Sequence, residues 1–182
     1  MLDGDRGHLV ARRANYKKDN LEAPEIIYNP DLKEYYLFVS YDPLMTTYNV
    51  RVGRSDKAEG PFIDYFGKEL KDTTNNFPIL TAPYRFKNHP GWAGTAHCAV
   101  FTSDDGQYFM AHQGRLSPQN QMMDLHVRQV FFTKDGWPVV SPERYAGSNP
   151  REFSAADLVG EWEIIRVQEP LYERQLEAGQ IL

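Results

Sequence analysis

Short apolar runs alternate with turn residues along most of this chain, and the runs have strand period. His8 to Arg12 reads as a first short strand that enters a charged loop over 13–20. Glu25 to Tyr28 is a second strand, and Glu34 to Tyr41 (E-Y-Y-L-F-V-S-Y) is a long run of β-formers. Asn29-Pro30-Asp31 between them predicts a hairpin loop. From Tyr48 to Ser55, Val50 and Val52 alternate with Arg51, and Pro78 to Ala82 closes the unit. The pattern then recurs. His97 to Thr102, Gln107 to His112, Leu125 to Phe132 and Trp137 to Val140 read as four strands, with Gly106 and Gly136 in the tight turns. Each half thus predicts about four antiparallel strands, as propeller blades or as a sandwich. Helical signal is confined to Ser154–Leu158, and Glu161 to Val167 predicts one further strand.

Composition narrows the classes. The 182 residues suit one domain, or one domain and a fragment, and 41% apolar content supports a packed core. Aromatics reach 13%, which suits β-structure and also sugar binding, where rings stack on C–H faces. A net charge of −5 and the lack of a basic block leave no electrostatic footprint for nucleic acid. Cys98 is the single cysteine, so neither an internal disulfide nor a cysteine zinc cluster can form, and it reads as a small buried side chain. No apolar run approaches membrane-spanning length, and M-L-D-G-D-R-G at the start carries no signal-peptide apolar region.

Several motifs together resemble glycoside hydrolase family 43, with most likeness to its endo-α-1,5-L-arabinanases. They are L-E-A-P-E-I-I-Y-N-P, Y-Y-L-F-V-S-Y, Y-N-V-R-V-G-R-S, G-T-A-H-C-A-V-F-T-S-D-D-G and L-H-V-R-Q-V-F-F-T-K-D-G-W-P-V-V-S-P-E-R-Y-A-G. The resemblance implies an all-β fold, here a partial five-bladed β-propeller of about two four-stranded blades plus flanking strands. It implies glycosidic hydrolysis with inversion, for which two carboxyl groups sit about 6.5–9.5 Å apart. The glutamate of the family's E-A-P motif is the general acid, and that position here is Glu22. The water-activating and tuning aspartates lie upstream of that motif in the family. Asp3, Asp5 and Asp19 lack the strand context they would need. The chain is therefore expected to supply the acid but not the base, with 1–150 the C-terminal portion of a propeller and 151–182 a linker and the first strand of a following β domain.

Other residues carry weaker signals, each with a plain structural alternative. His97 is either a core histidine or a channel residue near a cation; the resemblance implies calcium there, largely through water. Arg128 is either an outer-face strand residue or a cavity residue able to bind sugar hydroxyls, and His126 shares its face. Ser40, Tyr41 and Asn49 flank strand ends and could line sugar subsites. Trp92, in a Gly-rich loop, is either a sugar platform or tucked under a blade.

The expected substrate is arabinan or a related cell-wall oligosaccharide, and the resemblance implies a secreted or periplasmic parent protein. Pairing with another chain through exposed blade edges is a further expectation. The competing readings are a non-catalytic carbohydrate-binding fragment and a xylosidase or arabinofuranosidase of the same family.

Overall fold

The structure is a computed structural model that describes residues 4, 7–13, 21–72, 75–118, 121–147, 152–167 and 180–181. Asp3, Asp5, Asp19 and most of the charged loop lie outside the described residues.

The first sheet has the order β1-β2-β3-β4, formed by Leu21–Asn29, Glu34–Tyr41, Asn49–Ser55 and Ile79–Thr81, all antiparallel. The β1–β2 hairpin closes as its sequence predicts: Asn29 Oδ1 accepts the backbone N–H of Asp31 at 3.0 Å and of Leu32 at 3.2 Å. The second sheet contains β5 (Trp92–Ala93), β6 (Ala99–Thr102), β7 (Tyr108–Leu116), β8 (Asp124–Phe132) and β9 (Pro138–Val140). The sequence predicts four strands here, and the fifth has a simple cause. β7 is nine residues long, so its first half pairs with β6 while Arg115 and Leu116 pair with β5. Residues 8–12 are not a strand; Arg12 N–H instead donates to Leu70 O at 3.2 Å. Near the C-terminus a single 3-10 turn at Ala155–Leu158 precedes β10, only Glu163–Ile164, which pairs with β11 at Gln180–Ile181.

The two sheets meet along an apolar seam. Tyr36, Phe38, Tyr48, Val50 and Val52 from the first sheet interlock with Cys98, Val100, Met110, Val130 and Trp137 from the second. Each large side chain buried there contributes roughly 1.5–3 kcal/mol. Polar clamps fix the outer end of the seam. Tyr36 Oη donates to Gly136 O at 2.7 Å, and Arg54 donates to Asp135 O at 2.8 Å with its guanidinium 4.6 Å from the Trp137 ring. Gly136 takes φ +82° in that turn, a conformation glycine adopts without a Cβ clash.

The far face of the first sheet holds a second cluster, Leu37, Val39, Tyr41, Phe62 and Leu70, partly covered by Val10 and Ala11. The far face of the second sheet is covered at Phe109 by Tyr145 and is otherwise largely open among the described residues. Phe101, Leu125, Phe131 and Val139 are exposed on it, Leu125 to 73%.

Candidate active site

The E-A-P motif makes a β-bulge. Glu22 pairs with Ser40 and Glu25 with Phe38, so Ala23 and Pro24 are extra residues on β1. Ala23 takes φ +50° within the bulge, and Glu22 beside it reaches the end of the seam at Tyr48. Glu22 is exposed. Its Oε1 accepts the Tyr48 hydroxyl at 2.6 Å, and the same hydroxyl lies 3.4 Å from His97 Nδ1. His97 stands just before β6 with φ +59°, and its N–H donates to Ser40 Oγ at 2.9 Å. Three chain segments thus bring Glu22, Tyr48 and His97 to one point, with the buried Ser40 hydroxyl beneath them.

A cleft of about 650 Å³ adjoins this point through Ala23. Pro24, Glu25, His97, His112, Gln113 and Asp124 are among the residues that line it. His112 is buried; its Nδ1 lies 2.6 Å from Gln113 O and its Nε2 has no hydrogen-bond partner among the described residues. Burial, reinforced by the Arg128 cation, pushes the His112 imidazole down to about 3. The same two causes push His126 down to about 4.

Four of the residues read from the sequence as sugar ligands are placed elsewhere. Tyr41 lies on the opposite face of β2 from Ser40, because neighbouring strand residues alternate. Its ring sits between Arg13 and Arg51 at 5.3 and 4.9 Å, and burial pushes its phenol up to about 12. Asn49 is fully buried and bonded to Asp42 Oδ2, Thr47 O and Arg51 Nε. Arg128 is 2% exposed. Its guanidinium donates to Ser141 O, Pro142 O and Tyr84 Oη, so it ties β8 to the following segment and does not line the cleft. Trp92 is 9% exposed, with an edge contact to His126 at 4.5 Å and the Arg144 guanidinium 5.2 Å from its ring centroid. These contacts, with the His89 ring at 5.3 Å, keep the Trp92 ring out of solvent, as in the alternative of a tryptophan tucked under a blade.

Among the described residues no group of three or more His, Cys, Asp or Glu side chains is gathered to hold a metal ion. His97 offers one nitrogen, engaged at Nδ1 by Tyr48, whereas calcium takes six to eight oxygens. The donors here do not fit a directly held calcium ion.

Sequence reasoning missed Tyr48, His112 and Gln113. Tyr48 heads a strand like any aromatic, and only the pairing of β1 and β3 on either side of β2, with the bulge in β1, brings its hydroxyl to Glu22.

The sequence model of glycosyl hydrolases family 43 matches residues 3–138. An extracellular endo-alpha-(1->5)-L-arabinanase 2 of Bacillus subtilis is 31% identical over 166 residues, 80% of this chain and 35% of that protein. An extracellular endo-alpha-(1->5)-L-arabinanase of Thermotoga petrophila is 29% identical over 164 residues, again 80% and 35%. The crystal structure of an endo-1,5-alpha-L-arabinanase from Thermotoga petrophila superposes with a TM-score of 0.82 at 26% identity, covering 89% of this chain and 40% of that one. The chain spans about a third of the length of the curated relatives it matches.

Proposed function

Because this chain belongs to glycosyl hydrolase family 43 and its two sheets are blades of a β-propeller, we propose that it is part of an arabinan-degrading glycosidase with Glu22 as proton donor. The observation that carries the reading is the bulge that sets Glu22 at the end of the inter-sheet seam, bonded to Tyr48, beside an open cleft. In this reading Glu22 protonates the glycosidic oxygen as its C–O bond to the anomeric carbon breaks. A second carboxylate takes a proton from the water that attacks that carbon from the opposite face. We place that base outside these residues, which is why 182 residues alone would not turn over substrate. Residues 1–150 then act as the propeller portion and 151–182 as a linker into a following unit. Relatives named as extracellular arabinanases support both the substrate class and a secreted parent protein.

Reducing-sugar release from linear arabinan tests this, measured for the 182-residue chain and for the longest gene product that contains it. Activity in the longer product alone is the expected result. Full activity in the short chain would place the base within it, and no activity in either would remove the arabinanase reading.

The open far face of the second sheet supports a coarser proposal about assembly. Phe101, Leu125, Phe131 and Val139 form an apolar surface of the kind that another blade covers, from the same or another chain. Light scattering of the 182-residue chain checks this, and a monodisperse monomer stable at high concentration would speak against it.

A further inference from the structure

Tyr48 immediately precedes β3, and its ring is 1% exposed within the seam while its hydroxyl sits between Glu22 and His97. A hydroxyl has a single proton to donate. The 2.6 Å contact with Glu22 Oε1 lies in the range of an O–H donated to a carboxylate, so the proton belongs to that bond. The 3.4 Å contact with His97 Nδ1 is then a hydrogen bond only with the hydrogen on Nδ1 and the Tyr48 oxygen accepting. The backbone holds His97 for this contact. Its N–H is anchored on Ser40 Oγ, and it keeps φ +59°, which residues other than glycine seldom adopt. Burial first, and then the bond to Glu22, push the Tyr48 phenol above its usual range, so it keeps its proton at any working pH.

We propose that Tyr48 is a positioning residue that decides which oxygen of Glu22 delivers the proton. By occupying Oε1 it leaves Oε2 to carry the proton to the leaving group, and by accepting from His97 Nδ1–H it leaves the His97 Nε2 lone pair as an acceptor. The proposal rests on the reading of Glu22 as proton donor. As Glu22 gives up its proton its negative charge grows, and a hydrogen bond to an ionised acceptor is stronger than one to a neutral acceptor. Tyr48 therefore stabilises the transition state more than the bound substrate, and its loss falls on kcat rather than KM.

The experiment compares Tyr48→Phe and Glu22→Gln in the full-length gene product. Tyr48→Phe is expected to lower kcat on linear arabinan by about tenfold or more with KM nearly unchanged, since general acid catalysis is worth roughly 10²–10⁴-fold. On an aryl arabinofuranoside, whose phenolate departs without a donated proton, the loss should shrink to about threefold or less. An equal loss on both substrates, or none, would overturn the proposal while an inactive Glu22→Gln leaves the reading of Glu22 intact. An active Glu22→Gln variant would overturn both. A measurement on the unmutated protein covers the case where Tyr48→Phe does not fold: ¹⁵N spectra with labelled histidine should show His97 as the Nδ1–H tautomer. An Nε2–H tautomer would sink the proposal.

Discussion

His112 on β7 and His126 on β8 stand directly opposite each other, with ring centroids 5.1 Å apart and both imidazoles buried beside the Arg128 cation. Burial is the larger cause that keeps both neutral, and the neighbouring cation is the second. The folded values of about 3 and about 4 lie below the ordinary 6.5, so the unfolded chain binds these protons first as pH falls. The stability they confer is complete above about pH 6.5 and declines towards pH 4. Arg144 acts on His126 in the same direction as Arg128, and Asp124 opposes them. Urea midpoints measured from pH 7.5 to 5, above most carboxylate titrations, should hold level to about pH 6.5 and then fall. His126→Gln should flatten the slope, and an unchanged slope would show that the pair does not govern it.

Glu22→Gln in the full-length gene product should cut turnover on linear arabinan by about 10²-fold or more. The folded state should be unaffected, because Glu22 is exposed and Tyr48 can donate to the amide oxygen instead. A loss below about tenfold with an unchanged melting curve would contradict the acid role.

Arg128→Lys should act on stability and leave substrate affinity alone. A lysine keeps the charge but cannot reach Ser141 O, Pro142 O and Tyr84 Oη from one planar fork. The expected cost is about 2–4 kcal/mol, which denaturant titration can measure. A large rise in KM with normal stability would return Arg128 to the substrate.

Gly114→Ala tests the packing above His126. A Cβ at that position would lie 2.5 Å from His126 Nε2, and the imidazole is hemmed in by the Trp92 edge and Arg128. Overpacking of this kind costs about 1–3 kcal/mol. A thermal melt within a degree of the parent would show that the ring moves aside freely.

Much of this architecture was legible in the chain. Strand period and the turn residues Asn29, Gly106 and Gly136 located eight of the nine strands in the two main sheets. Two residues of β5 are too few to show a period, so that strand was not visible. Alternation also correctly tied His126 to Arg128: both lie buried on one face of β8.

The sequence by itself determined the all-β class, the two-sheet repeat and the E-A-P motif that marks Glu22, because these depend on local backbone preference and side-chain order. It could not say which face of each strand would meet the other sheet. Ser40 and Tyr41 are neighbours of similar polarity, yet one supports His97 and the other is enclosed between two arginines. Only the packing of one sheet on the other decided that, because facing sheets remove one set of alternate positions from water and gather their polar atoms into fixed partners. Contacts within each unit decided the rest: Tyr84, His126 and Arg144 hold Arg128 and Trp92 in place, and the pairing of β1 and β3 on either side of β2 sets the Tyr48 hydroxyl against Glu22.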